Sequence, residues 1–492
     1  MGEIAKKTIS GVKWTAIESI SIQLFQFIVG ILIARVLTPS EYGLVGMIGI
    51  FLGVASAFVD SGMTNALIRQ KESTEEDFST VFFFNLMVSC ACYGILYFGA
   101  PLIAKFFHQP ELILIVRVIS LNLVIGALGS TQGAKFTKDL DFKTLAKIST
   151  TSSFLSGIAG IIMAYSGCGV WTLVFMSMIS SVISVVLKYV FSKWKPQLIF
   201  SKKSFRELFG FGSKLLGSNI LHIIYLNLTT LLIGKFYSAK QLGFYSRGQG
   251  IPSTIDSTIL SVLNRVTFPI LAKYQDDKEL LGYVYRKYIR STSLPIYFLL
   301  ILVAALSKPL ILFLLTDKWI QAVPYMQIFC FIYLSDNVSS LNLNLLQVLG
   351  RSDLFLRLEI IKKIVSTALL IASVPFGVMA ICAVKLLYSF LAIVINTYYT
   401  RKLLNWGFIS QFKDFSPYIL YSLLSCLPAY ILTFSGLPHI LILLLGFSVA
   451  AVLYASILYC RKDAIYMEYL VQKAFPKLKS IVRKSVHSVL SR

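Results

Sequence analysis

Charge is scarce in this sequence, and negative charge is the scarcest. Of 492 residues only 14% are charged, with 23 Asp and Glu against 46 Lys and Arg. Soluble globular domains carry about a quarter charged residues, so the composition excludes an ordinary soluble protein. The formal net charge of +23 does not indicate a nucleic-acid partner, because the basic residues lie between apolar runs, where positive charge orients a membrane protein.

Groups that carry chemistry are equally sparse. The four histidines (His108, His222, His439 and His487) lack the spacing of metal ligands, and no Gly-rich phosphate loop for ATP is present. Five of the seven cysteines fall inside apolar runs, where Cys acts as a small hydrophobic residue. We therefore expect no enzyme, catalytic residue, metal or cofactor.

Apolar segments dominate what is present: 56% of residues are hydrophobic. Continuous runs of the length needed to cross a bilayer as helices recur along the chain. They predict an all-α polytopic membrane protein with about fourteen spans. The predicted spans are 14–36, 42–66, 78–100, 112–133, 145–166, 169–191, 210–235, 242–268, 289–315, 320–349, 356–375, 377–400, 415–434 and 438–460.

The number of Lys and Arg residues alternates between high and low in successive loops, and this distribution tests the predicted spans. With the N-terminus in the cytoplasm, most of them fall on inside segments, and the outside segments hold only six: Arg35, Lys105, Lys235, Lys240, Lys308 and Lys318. Positive loops mark the cytoplasmic side. This bias persists to the C-terminus, so we predict that both termini are cytoplasmic.

Two short turns reveal an internal repeat. TPSEYG (38–43) and SAKQLG (238–243) each place a hydroxyl residue three positions before Glu or Gln, which is the pattern of a capping box. Gly11 to Lys13 matches Gly212 to Lys214, and Gln132 with Asp139 matches Gln347 with Asp353. An even number of spans separates the copies, so they run in the same direction.

The repeat predicts two parallel six-helix lobes around a central cleft, followed by two further C-terminal helices. The expected regions are an N-terminal lobe (1–200), a C-terminal lobe (201–405), two additional spans (406–460) and a basic amphipathic tail (461–492). Lobes facing a cleft are an architecture for alternating access, although duplication can also simply build a larger bundle.

Polar side chains inside the spans are the candidate functional residues, since charge inside a membrane is costly. Asp256 and Asp336 lie near mid-span, and Asp60 lies near the inside end of its span; these three are candidates for ion coupling. Arg117, Arg247 and Lys385 are candidates for a cationic substrate site, with snorkelling to the interface as the alternative for the two arginines. The candidates for a polar cavity are Asn219, Asn227, Gln249, Asn344 and Gln347. The alternative for these amides is hydrogen bonding between helices.

The order of several segments resembles a known family. KKTISGVKWTAIESI, ARVLTPSEYGLVGM, DSGMTNALIRQKE and YLNLTTLLIGKFYSAKQLGFYSRGQGI are similar to segments of Wzx-type lipopolysaccharide and capsule flippases. These proteins belong to the multidrug/oligosaccharidyl-lipid/polysaccharide exporter superfamily, and the pattern is closest to the colanic acid exporters.

The resemblance implies a bacterial inner-membrane flippase that moves an undecaprenyl-diphosphate-linked oligosaccharide to the outer leaflet, with Arg117, Arg247 and Lys385 pairing with the diphosphate. Membrane lipids are implied partners, and a polysaccharide polymerase or assembly protein is a further one. Three alternatives stay open: a cation-coupled multidrug exporter of the same superfamily, a membrane polymerase or ligase, and a non-transporting component of an assembly complex.

Overall fold

The structure is a computed structural model that describes residues 21–70, 72–192 and 194–474. The predicted repeat match at Gly11 to Lys13 and most of the basic tail lie outside the described residues. The described chain forms eighteen α-helices and contains no β-strand. The helices are α1 (Ser21–Val36), α2 (Pro39–Asp60), α3 (Met63–Arg69), α4 (Glu75–Phe107), α5 (Leu112–Ile119), α6 (Leu121–Lys138), α7 (Phe142–Tyr165), α8 (Trp171–Phe191), α9 (Lys202–Phe236), α10 (Ala239–Lys273), α11 (Lys278–Ala305), α12 (Ser307–Leu315), α13 (Val323–Val348), α14 (Ser352–Ser373), α15 (Val378–Leu404), α16 (Phe408–Leu432), α17 (His439–Cys460) and α18 (Ala464–Ala474).

Ten of the described helical segments are long and apolar enough to cross a membrane. They confirm the predicted fold class, an all-helical polytopic membrane protein. The spans predicted at 242–268, 320–349 and 356–375 coincide with α10, α13 and α14, which fall outside these ten, as does the shorter α1. The count of fourteen spans and the two-lobe repeat stay predictions, as does the cytoplasmic placement of the termini.

Three predicted spans are interrupted. Residues Ser61 and Gly62 adopt left-handed φ angles of 44° and 70° and separate α2 from α3, so the second predicted span is interrupted near its C-terminal end. Ser120 separates α5 from α6, and Leu306 separates α11 from α12. Ser61 and Ser120, which lie at two of these breaks, are buried, and the backbone N–H of each donates to the carbonyl four residues earlier.

The chain divides into two compact units that adjoin at Phe244 and Tyr245. Unit 1 ends there because α9, which follows the predicted first lobe, packs along α2, α3 and α4. The core of unit 2 is formed by α11, α13, α16 and α17, with fully buried Tyr285, Tyr297 and Leu345 among its members. The predicted lobe boundaries at 200 and 405 stay predictions.

Buried polar side chains tie the helices of unit 2 together. The Asn342 side chain on α13 donates a 2.9 Å hydrogen bond to Gln411 on α16 and accepts a 2.6 Å hydrogen bond from Thr400 on α15. All three residues are fully buried. Because an unpaired polar group in an apolar interior is costly, these bonds fix the rotation of three helices relative to one another.

A buried carboxylate joins α11 to α16. The Asp414 side chain is completely buried and accepts hydrogen bonds of 2.8 Å from both Arg286 and Arg290. The indole of Trp406 donates to its second oxygen at 3.2 Å. Each arginine keeps at least a third of its side chain exposed, so the carboxylate is neutralised from the side where the helices meet water.

The repeated turns pack against each other within unit 1. The backbone N–H of Thr38 donates a 2.6 Å hydrogen bond to Glu41, which confirms the first predicted capping box, and the hydroxyl of Ser238 accepts from the N–H of Gln241 at 3.2 Å. A Cβ at Gly43 would lie 1.8 Å from the Ala239 oxygen, and one at Gly243 would lie 1.9 Å from the Pro39 oxygen. Both glycines are therefore required by the close approach of the starts of α2 and α10.

Adding a methyl group at this crossing is expected to destabilise the protein. Gly43→Ala and Gly243→Ala each force two backbones apart, and overpacking costs about 1–3 kcal/mol, so the melting temperature in detergent should fall by several degrees. The matched controls are Gly46→Ala on α2, whose new Cβ meets only the Leu242 side chain at 3.4 Å, and Gly250→Ala on α10, which meets nothing within 4 Å. Equal melting temperatures for all four variants would show that the crossing is not tight.

Removing the charge of Asp414 is expected to destabilise unit 2. Asp414→Asn leaves Arg286 and Arg290 converging on a neutral group, and breaking a buried ion pair costs about 3 kcal/mol or more. Asp353→Asn is the control, since it breaks the exposed 2.9 Å pair with Arg351, and solvent screening leaves such surface pairs with little effect on stability. Thermal unfolding in detergent compares them, and an equal loss in both would contradict the structural role of Asp414.

Candidate functional site

Polar residues of α10 and α13 meet in unit 2 because a glycine lets the helices approach. A Cβ at Gly248 would lie 2.6 Å from the Tyr325 side chain and 2.9 Å from the Ala322 oxygen. Gly248 is buried against the start of α13, and its two neighbours in sequence are Arg247 and Gln249. The close contact therefore positions both of these predicted site residues beside α13.

Lys385 lies among aromatic rings. Its ammonium group donates a 2.9 Å hydrogen bond to the hydroxyl of Tyr245 and lies 5.6 Å and 5.7 Å from the ring centroids of Tyr245 and Phe329. The side-chain amide of Gln249 donates to the hydroxyl of Tyr333 at 3.1 Å. Aromatic faces stabilise a cation away from water, so Lys385 can keep its charge within an apolar helix.

The carboxylate of Asp336 lies within electrostatic range of this lysine, and the carboxylate of Asp256 lies within range of Asp336. Asp256 on α10, which is 8% exposed, and Asp336 on α13 repel each other, while Lys385 on α15 and Lys362 on α14 attract Asp336. We call Tyr245, Asp256, Tyr333, Asp336 and Lys385 the polar cluster of unit 2. The structure thus brings together a predicted headgroup-binding residue and two predicted ion-coupling residues.

The two predicted arginines have different surroundings. The guanidinium of Arg247 lies 5.8 Å from the ring of Trp319, which is fully buried at the start of the α13 region. In unit 1, Arg117 on α5 donates a 3.3 Å hydrogen bond to the backbone carbonyl of Tyr97 and stacks over that ring at 4.5 Å. Arg117 thereby joins α5 to α4, while its role in substrate binding stays a prediction.

The polar residues of α13 divide between two faces. Asn337 donates to Thr292 at 2.9 Å, and like Asn342 it is fully buried. Asp336, Ser340 and Asn344 are partly exposed, and Gln347 is exposed. Hydrogen bonding between helices therefore accounts for Asn337 and Asn342, whereas the predicted stripe that includes Asn344 and Gln347 lies on the accessible side.

Unit 1 contains a polar cavity of about 370 Å³ where α2, α3 and α9 meet. Asp60 and Asn219, both predicted from sequence, line it together with Asn65, Ser218 and His222. The close approach of these helices depends on Gly62 and Gly212, since a Cβ on Gly62 would lie 2.6 Å from the Gly212 oxygen. The other predicted amide of this region, Asn227, instead donates to the Ile223 carbonyl of its own helix at 2.9 Å.

A second cavity of about 350 Å³ adjoins the first at Asp60 and is lined by Ser56, Asn85, Asn122 and Ser130. The side-chain oxygens of Asn85 and Asn122 are buried and have no protein hydrogen-bond partner within the described part of the chain. Buried polar atoms of this kind are satisfied by water or a ligand. The sequence analysis missed both residues, although each is a single amide within an apolar run.

The described part of the chain contains no candidate metal centre. Within residues 21–70, 72–192 and 194–474, no three His, Cys, Asp or Glu side chains come together as a metal ion would require. What the described residues offer is hydroxyl and amide groups around the cavities of unit 1, and a lysine with two carboxylates in unit 2. These groups can bind a polar, uncharged moiety and an anion.

The fold is that of known transporters. The chain is similar to an inward closed structure of the lipid II flippase MurJ, with a TM-score of 0.72 at 14% identity over 91% of this chain and all of that chain. It is also similar to an inward-facing multidrug MATE transporter of the MOP superfamily, with a TM-score of 0.60 at 14% identity over 78% and 94% of the two chains. At these identities the similarity establishes the fold.

Residues 32–324 match the model of a family described as polysaccharide biosynthesis protein, and the chain belongs to that family. It is 27% identical to the teichuronic acid biosynthesis protein TuaB of Bacillus subtilis over 72% of this chain and 74% of that protein. It is 24% identical to the lipopolysaccharide biosynthesis protein WzxC of Escherichia coli over 80% of each. The family expected from the quoted segments is confirmed.

The cavities of unit 1 are expected to hold water. Ser56→Cys should react with a membrane-impermeant thiol reagent, because water in the cavity lets the thiolate form. Leu155→Cys on α7 is the matched control, since it is 45% exposed but on an apolar helix surface. Both are made in a background without the native cysteines and compared by mass spectrometry. Equal labelling of the two positions would contradict a hydrated cavity.

Proposed function

We propose that this protein exports an undecaprenyl-diphosphate-linked oligosaccharide from the cytoplasmic to the outer leaflet by alternating access. The observation that carries the proposal is the polar cluster of unit 2, where Lys385 lies 2.9 Å from the Tyr245 hydroxyl within electrostatic range of Asp336. A diphosphate crossing an apolar layer needs such a cation, because an unpaired charge there is prohibitive. The relatives support this assignment, since one is named a succinoglycan biosynthesis transport protein.

The cavities of unit 1 supply what the sugar part of this substrate requires. Ser56, Asp60 and Ser130 line the second of these cavities with hydroxyl and carboxylate groups, and sugar hydroxyls can hydrogen-bond to such groups as water does. The membrane potential favours outward movement of an anion by about 2.3 kcal/mol per charge per 100 mV. The diphosphate thus contributes to the direction of transport, and no ATP site is needed.

In this proposal, the carboxylates of Asp256 and Asp336 couple cation binding to the transport cycle. In this proposal Asp336 partly neutralises Lys385 when no substrate is bound. Uptake of a proton or a sodium ion by Asp256 and Asp336 removes that attraction and leaves Lys385 available for the diphosphate. Cation binding and substrate binding are then linked through one lysine, since each changes the affinity for the other.

Loss of the cations is expected to abolish transport of the lipid-linked oligosaccharide. Arg247→Ala with Lys385→Ala removes two charge-assisted contacts worth about 1.5–3 kcal/mol each, so the initial rate in proteoliposomes should fall by about a hundred-fold or more. The control is Lys278→Ala with Lys308→Ala, which removes two exposed cations of the same unit. Unaltered transport in the first double variant, at normal expression, would refute the cationic site.

A cation-coupled multidrug exporter is the second candidate, favoured by the pair of carboxylates Asp256 and Asp336. For that function, the double variant Asp256→Asn with Asp336→Asn should abolish efflux of cationic dyes driven by a proton or sodium gradient. For the flippase, the native protein should move no dye, and the same variant should lose only the dependence of oligosaccharide transport on the gradient. Fluorescence assays in liposomes that contain only this protein distinguish the two, and liposomes showing neither activity would indicate a non-transporting component.

A further inference from the structure

A second cationic site lies on unit 2, apart from the polar cluster. It is a groove of about 670 Å³ between the beginning of α14 and the end of α15. We call it the α14–α15 groove and define it by Arg351, Arg357, Tyr398, Tyr399 and Lys402. None of these residues enters the transport mechanism proposed above.

The groove carries excess positive charge. Arg351 makes two 2.9 Å hydrogen bonds to Asp353, and these bonds lower the pKa of Asp353 to about 2. That pair therefore stays ionised and has little net charge. Lys402 lies 5.2 Å from the ring of Tyr398, and no carboxylate forms an ion pair with Arg357 or Lys402 in the part of the chain that the structure describes. Two cations and two tyrosine hydroxyls are available to an anion.

The groove also has an apolar part, which extends along the two helices. Arg351 and Lys402 lie at the helix ends, and Arg357 lies between Leu354 and Leu358 on α14. Ile361 and Val394 line the groove nearer the middles of the two helices. Ile361 and Val394 are 40% and 45% exposed, so the apolar floor is open to a ligand. A phosphate at the interface followed by hydrocarbon toward the bilayer centre is the order of groups in a membrane lipid.

We propose that the α14–α15 groove binds the phosphate headgroup of a membrane lipid, with the hydrocarbon chain along its apolar floor. Arginine suits phosphate through paired hydrogen bonds, and Lys402 adds a second charge at the mouth. The lipid is either an anionic glycerophospholipid or the polyprenyl diphosphate of the transported substrate. Only binding of the polyprenyl diphosphate depends on the proposed function. If that lipid binds, the groove is a docking site that the substrate occupies before transport.

The test is lipid binding to the purified full-length protein in detergent, measured by native mass spectrometry without any transport step. The probes are phosphatidylglycerol, undecaprenyl diphosphate and phosphatidylcholine, which has no net charge. Arg357→Gln with Lys402→Gln should weaken binding of the anionic lipid by about 25-fold, at roughly five-fold for each basic residue. Lys363→Gln with Arg401→Gln is the matched control, because it removes one cation from each of the same helices outside the groove.

The lipid whose binding the groove variant weakens more strongly identifies the source of the phosphate. Equal weakening by the control variant, or no preference of the native protein for either anionic lipid over phosphatidylcholine, would overturn the proposal. Both double variants change exposed or partly exposed side chains, and equal melting temperatures verify their folding. A protein that binds these lipids yet moves no oligosaccharide would refute the proposed function and leave this inference standing.

Discussion

The apolar layer that these helices cross offers no water to a buried polar group, so each such group requires a partner within the protein. This constraint explains why the long apolar segments of the described chain are helices, because helices satisfy their own backbone. It also explains the bonds of Asn342 to Gln411 and Thr400 and the convergence of two arginines on Asp414. The side-chain oxygens of Asn85 and Asn122, which have no protein partner within the described residues, belong to residues that line a cavity.

The same constraint explains the surroundings of Lys385 in the polar cluster of unit 2. A lysine in an apolar helix persists because Tyr245 and Phe329 surround its charge and Asp336 partly balances it. Such a balance is sensitive to any ion that enters, since electrostatic interactions strengthen as water is excluded. In the proposed function, an anion and a cation that reach this cluster affect one another through Lys385, whichever arrives first.

Much of the fold follows from the sequence, because bilayer-length apolar runs and a capping box are local signals. The start of α2 at Thr38 and Pro39 is an example. The hydrogen-bond partners of a polar side chain, in contrast, depend on which other helices pack against it and cannot be inferred from neighbouring residues in the sequence. Asn337 and Asn342 flank the stripe of Asp336 on one helix, yet only the packing of α11, α15 and α16 decides that the first two are buried. Likewise, Arg117 is an isolated charge in the sequence, and only the packing of α4 against α5 places the Tyr97 carbonyl beside it.

The paired turns of unit 1 carry one more implication. Gly43 approaches Ala239 while Gly243 approaches Pro39, and positions 39 and 239 are equivalent under the same offset that relates the two glycines. Such reciprocity, in which each partner presents the same patch to the other, characterises an isologous two-fold dimer. The contact between the two turns therefore has the local symmetry of an isologous interface, although both turns belong to one polypeptide.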